Sequence, residues 1–113
     1  MKQIKAVIRR HKMDDVLYAL AVIEGLPGVM VSEIRGFGKG RDRFAPGKVH
    51  EGSFLFVEWT KLEPVVRDDQ VGPVLETIRA AGHTGNTGDG KVFVIPVDDC
   101  LKIRTGDRGE GAL

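Results

Sequence analysis

The stretch Thr84-Gly85-Asn86-Thr87-Gly88-Asp89-Gly90-Lys91 holds the residue types and spacing most suited to chemistry in this chain. Gly85, Asn86, Gly88 and Gly90 enter turn or left-handed backbone geometry at little cost. Successive backbone N–H groups in such turns form a concave anion site, and Lys91 adds a mobile positive charge. Gly85 to Lys91 also fits G-x-x-x-x-G-K, the start of a P-loop. That reading fails twice: Val92 stands where a P-loop needs Ser or Thr for magnesium, and the stretch runs from helix into strand rather than the reverse. A phosphate cradle of another kind remains, with a plain helix-to-strand turn as the simpler alternative.

Other reactive residue types do not assemble. His11, His50, His83, Cys100, Asp98 and Asp99 show no zinc spacing, so no metal site is expected. Ser32 and Ser53 lack a nearby histidine–acid arrangement, and Cys100 lacks an activator. Asp68 and Asp69 open a helical pattern and read as helix caps. No catalytic residue is expected, and the chain reads as a non-enzyme.

The elements that must carry the loop follow from periodicity. Residues 3–9 alternate, with Ile4, Ala6 and Ile8 on one face and Lys5, Val7 and Arg9 on the other, as in a half-buried strand. Met13, Val16, Leu17, Leu20 and Ile23 recur at helical spacing, with Asp14 and Asp15 at the N-terminal dipole and Gly25-Leu26-Pro27-Gly28 as the stop. A second strand is expected over about 29–35 and a third over 53–63. A second helix should span 68–81, with Val71, Val74, Leu75 and Ile78 facing inward, and a fourth strand 92–97. Leu101-Lys102-Ile103 suggests a short further strand, with a frayed tail beyond Asp107.

Two successive strand–helix–strand units predict a ferredoxin-like α+β sandwich, one antiparallel sheet with both helices on one face. The third strand is apolar on both sides: Phe54 and Phe56 point one way, Leu55, Val57 and Trp59 the other. The sheet face away from the helices must then be covered by a second copy or by the chain's own tail, and a homo-oligomer is expected. Residues 36–52 exceed the roughly 12–15 residues of an ordinary loop and are rich in glycine and charge, which suits contact with a partner.

At 113 residues the chain is expected to be one domain, 1–113. Seventeen Lys and Arg against 16 Asp and Glu give little support for nucleic acid as a partner. The single Cys100 excludes an internal disulfide and suits a reducing compartment. No stretch approaches the roughly 18 apolar residues of a membrane span, and Met1-Lys2-Gln3-Ile4 begins no signal peptide. A cytoplasmic protein without membrane insertion is expected.

Gly36-Phe37-Gly38, Asp68-Asp69-Gln70-Val71, Thr84-Gly85 with Gly88-Asp89-Gly90-Lys91, and Ile103-Arg104-Thr105-Gly106 resemble, in order and spacing, the PII signal-transduction family. The resemblance covers essentially the whole chain. It implies a trimer of ferredoxin-like subunits that binds adenine nucleotide (ATP, ADP or AMP) in clefts between neighbours. A long T-loop, about 37–52 here, would grip a regulated protein such as a membrane transporter. Gly88, Asp89, Gly90 and Lys91 then resemble the B-loop (about 84–91) around the phosphates. Lys102 and Arg104, in a tail of about 102–113, would reach those phosphates from the neighbouring subunit. Val7, Met30, Gly36, Phe37, Gly38, Lys39 and Val65 match positions at the T-loop base and adenine pocket, and Lys39 is the expected link to the loop. Arg41, Arg43, Phe44, Lys48 and His50 are the implied partner contacts. No resident cofactor is implied, and the need for magnesium with the nucleotide stays open.

Departures from the family pattern are equally specific. Lys102 replaces an arginine, and Met30 replaces a frequent threonine. Gly40 stands where 2-oxoglutarate sensors carry a magnesium-holding glutamine, and Trp59 where they carry a lysine for the oxoglutarate carboxylate. The position of the uridylylated tyrosine is Gly52. The resemblance therefore implies nucleotide control without ordinary 2-oxoglutarate sensing or tyrosine uridylylation. The altered T-loop resembles branches linked to metal-efflux or inorganic-carbon systems. The alternative is a trimeric metal-tolerance or scaffolding protein of the same fold without nucleotide control.

Overall fold

The computed structural model describes residues 1–37, 48–51 and 54–113. Its elements are β1 (Lys2–Arg9), α1 (Met13–Ala21), β2 (Met30–Phe37), β3 (Lys48–Glu51), β4 (Phe54–Glu63), β5 (Val65–Val66), α2 (Val71–Gly82) and β6 (Gly90–Pro96). Short 3₁₀ turns cover Arg10–Lys12, Asp68–Gln70 and Gly109–Ala112. All strand pairs are antiparallel. β1 is central, with β4 and then β2 on one side and β6 on the other. β5 continues the β4 side along the start of β1, and β3 pairs with the opening residues of β4. Both helices lie on one face. This is the expected ferredoxin-like α+β sandwich.

Alternation in β1 sets the core. Ile4 and Ala6 are fully buried and Ile8 nearly so, while Lys5, Val7 and Arg9 stay partly exposed on the other face. Val16 and Leu20 from α1, Val74 and Ile78 from α2, and Leu62 and Val66 complete the buried cluster. The opposite face carries Met30, Phe93 and Ile95, which remain exposed in the single chain. The tail does not cover them, so the apolar sheet face anticipated from Trp59 is left for another surface.

Several boundaries differ from the sequence reading. β2 runs on to Phe37, and Lys48–Glu51 form a strand against β4 rather than loop. β6 begins at Gly90, because a glycine there lets the strand approach β1 more closely than any side chain permits. Leu101 makes only an isolated bridge with Arg108, and Ile103 sits 95% exposed in a turn. That turn closes through Lys102 N–H to Asp107 O (2.9 Å) and Gly106 N–H to Lys102 O (2.8 Å). Instead of fraying beyond Asp107, the chain forms a 3₁₀ turn and buries Ala112. Asp99 braces it by pairing with Arg108 and accepting from Gly109 N–H at 3.2 Å.

Asp68 and Asp69 are not helix caps. Asp68 pairs with the terminal amine and Lys2, and Asp69 with Arg67. The cap is Gln70, whose side chain accepts from Arg67 N–H (3.1 Å) and donates to Gly25 O (3.1 Å). A buried amide serves better here because it must both donate and accept, which a carboxylate cannot. Among the described residues no helix is long and apolar enough to cross a membrane.

Candidate functional site

The loop between α2 and β6 is shaped from within by Asp89. Its carboxylate accepts from the Thr84 hydroxyl, from Thr84 N–H (2.8 Å), from Gly85 N–H (3.1 Å) and from Arg9 Nε (3.1 Å). The Thr84 hydroxyl in turn accepts from Asn86 N–H at 3.1 Å. Arg9 also donates through Nη2 to Thr87 O at 2.6 Å. These donors, the Thr84 hydroxyl and N–H foremost, hold the Asp89 carboxyl well below the usual carboxylate range. Asp89 is thus a brace, and its negative charge is spent on the protein rather than turned toward a ligand.

That use of Asp89 narrows the anion cradle. The N–H groups of Thr84, Gly85 and Asn86 are consumed inside the loop. Among the described residues those of Thr87 and Gly88 have no such partner, while Asp89 closes the turn over Thr87 and Gly88. Gly88 and Gly90 hold φ of 92° and 108°, in the left-handed region that favours glycine. Lys91 is exposed and makes no ion pair among the described residues. A cavity of about 340 Å³ opens beside the loop, lined by the apolar Ile8, Ile78 and Val92 and by the polar His83, Lys91 and Arg79.

Because the folded-state carboxyl of Asp89 is depressed, its stabilising contribution is complete above the unfolded value of about 4 and fades as pH falls below it. Asp89→Asn should therefore lower thermal stability by a constant margin from pH 8 to about 5, and that margin should close below about pH 4. Melting curves at fixed chain concentration check this. A margin that does not change with pH would show that the ionised carboxylate is not what holds the loop.

The remaining expected nucleotide residues fall into two groups at opposite ends of the sheet. Val7 pairs with Lys91, and Gly36 and Phe37 with Val57 and Phe56, all at the loop end. Met30 pairs with Glu63 and Val65 with Gln3, at the far end, where Lys2 meets Pro96. Lys102 and Arg104 follow β6 from that far end, solvent-accessible and without an ion pair among the described residues. Gly90 and Pro96 are six residues apart on one strand, roughly 20 Å at about 3.3 Å per residue. One chain does not bring the two groups together. Two neighbouring chains could.

At the base of the long loop, Phe37 meets Phe56 edge-to-face at 6.4 Å between ring centres. Trp59 packs on Gly36: a Cβ at Gly36 would lie 3.1 Å from the indole Nε1. Lys61, two residues beyond Trp59, pairs with Glu63 at 3.3 Å. Gly38, Lys39, Gly40, Arg41, Arg43, Phe44 and Gly52 lie outside the described residues. Lys48 and His50 lie on β3, opposite Val57 and Leu55. Sequence reasoning missed Arg9 and Thr84 as loop-shaping residues. A long cation at an outward position of β1, and a hydroxyl five residues before Asp89, were the available signals.

Comparison with known proteins gives the family directly. The sequence model described as "Nitrogen regulatory protein P-II" matches residues 1–107. A "Nitrogen regulatory protein P-II" of Microchaete diplosiphon is 42% identical over 113 residues, covering both chains fully. That of Azospirillum brasilense is 39% identical over 113 residues, again covering both fully. The crystal structure of Arabidopsis thaliana PII bound to citrate superimposes with a TM-score of 0.80 at 40% identity, covering 99% of this chain and 91% of that one. With a whole-chain match in sequence and in fold, the chain belongs to the nitrogen regulatory protein P-II family, whose members are signal-transduction regulators rather than enzymes.

Proposed function

We propose that this chain forms a homotrimer that binds an adenine nucleotide between subunits and reports its occupancy to a regulated partner, a membrane transporter, through the T-loop. Trimers are typical of PII proteins. The supporting observation is the split site: the phosphate cradle at 87–91 and Val7 occupy one end of the sheet, while Met30, Val65 and the Lys102–Arg104 tail lie at the other. Only a second copy can complete such a site, and the exposed apolar face of Met30, Phe93 and Ile95 offers a surface for that copy. In the cleft, Gly88, Gly90 and Lys91 hold phosphate, and Lys102 and Arg104 of the neighbouring subunit neutralise it. Asp89 acts by shaping the loop.

Nucleotide regulates only if it binds one T-loop arrangement better than another, and a coupling of roughly 1–3 kcal/mol suffices. Lys39, at the loop base, is the residue proposed to sense it. Ordinary 2-oxoglutarate sensing is absent in this reading, because Gly40 offers no magnesium ligand and Trp59 no counter-charge. Uridylylation of the T-loop is absent too: the single tyrosine of the chain is Tyr18, exposed on α1. Calorimetric titration of ATP, ADP and AMP, with and without magnesium and 2-oxoglutarate, tests the proposal. Saturable binding of at least one nucleotide is expected, with affinity unchanged by 2-oxoglutarate. Absence of binding at millimolar nucleotide would favour the scaffolding alternative.

A further inference from the structure

Arg9 ends β1 and Arg10 opens the 3₁₀ turn that follows, and the two reach opposite ways. Arg9 extends on the sheet face away from the helices to Asp89 and Thr87, the two residues flanking Gly88. A Cβ at Gly88 would lie 3.3 Å from Arg9 Nη2, so the guanidinium fills the inside of the turn. Both Arg9 and Asp89 are about three-quarters shielded from solvent, at 24% and 23% exposure. Arg10 instead clamps Glu33 of β2 (3.3 Å) and Glu58 of β4, in the open.

Arg9 also faces Trp59 directly across the β1–β4 pair. Paired residues on one sheet face hold their Cβ atoms about 4.5–5.5 Å apart. Trp59 in turn lies on Gly36 and faces Ile34, near the end of β2. A row of adjoining residues thus runs from the anion loop through Arg9 to its strand partner Trp59 and on to Gly36.

We propose that Arg9 is a positioning residue for the anion loop and that it relays occupancy of that loop to Trp59 and Gly36 at the end of β2. The inference rests on nucleotide phosphate binding at residues 87–91. Arg9 touches no ligand itself. An anion at the Thr87 and Gly88 N–H groups pulls on the same backbone whose carbonyl and carboxylate Arg9 holds, and a shift of Arg9 alters the surroundings of Trp59 beside it.

Trp59 is the only tryptophan of the chain, so its selectively excited emission reads this row without a label. The intact protein and its Arg9→Met, Arg9→Lys and Arg10→Gln variants are titrated with ATP by calorimetry and by Trp59 fluorescence, after light scattering confirms equal assembly. In the unaltered protein, ATP should change the Trp59 emission saturably. Arg9→Met should weaken ATP at least tenfold and abolish the emission change at saturating ATP, with Arg9→Lys intermediate. Arg10→Gln breaks a clamp of similar length beside it, and should leave affinity within twofold and the emission change intact.

Equal losses in Arg9→Met and Arg10→Gln would show generic damage and overturn the proposal. Unchanged affinity in Arg9→Met overturns the positioning role. A full emission change in that variant, or none in the unaltered protein despite calorimetric binding, overturns the relay. If the unaltered protein binds no ATP at all, the underlying nucleotide reading fails and the inference falls with it.

Discussion

Replacing Gly90 with alanine should lower the melting temperature by at least about 10 °C and abolish nucleotide binding. A Cβ there would collide with the Val7 carbonyl oxygen and lie 2.9 Å from its carbon, both backbone atoms of a central strand. The position also holds φ of 108°, which alanine rarely adopts. Backbone strain of about 1–3 kcal/mol and overpacking of similar size add up, because neither is relieved by rotating a side chain. Each kcal/mol moves the midpoint of a domain this size by about 4–8 °C. The damage falls where β6 leaves the anion loop, so the cradle is displaced with it. Scanning calorimetry at fixed chain concentration measures the shift. A change of a degree or two would mean that β6 need not approach β1 this closely. Gly28, which has nothing within 4 Å of its Cβ position, is the control expected to tolerate alanine.

Removing the two cations proposed to face phosphate should have the largest effect on ligand affinity among changes that leave the fold intact. Lys91 and Arg104 are exposed and without ion pairs among the described residues, so neither is needed to neutralise another side chain. A charge-assisted hydrogen bond contributes about 1.5–3 kcal/mol, and 1.4 kcal/mol is tenfold in affinity. Lys91→Ala and Arg104→Ala should each weaken nucleotide binding by roughly 10- to 100-fold, and the double variant by on the order of 1,000-fold. The melting temperature and assembly should stay near those of the parent. Titration calorimetry with light scattering separates the two effects. Affinity retained in the double variant would move the phosphate away from this loop.

Much of the fold was legible because one strand and two helices carry clean periodicity. Ile4, Ala6 and Ile8 alternate, and Val74 and Ile78 stand one helical turn apart. The resemblance ordered the motifs, and the whole-chain match supports that order. What could not be read were facts that exist only across the fold. Gly90 looked like loop because glycine disfavours strands, yet the closeness of Val7 makes it the only residue that fits there. Asp89 looked like part of a phosphate site, and its four donors come from residues 4 to 80 positions away. Gln70 outranked Asp68 and Asp69 as the cap because Gly25 O, 45 residues distant, needs a donor. The separation of Met30 and Val65 from the anion loop follows only from strand register.

The central claim is that two chains share one site, and subunit mixing tests it most directly. Lys91→Ala chains and Arg104→Ala chains are each weak binders when assembled alone. Unfolded together and reassembled at equal concentration, they should regain full-affinity clefts, about one in four for random cyclic trimers, because a cleft between an intact Lys91 and an intact Arg104 then exists. Calorimetric recovery of that fraction is the predicted result. A mixture that binds no better than its two components would contradict the intersubunit site.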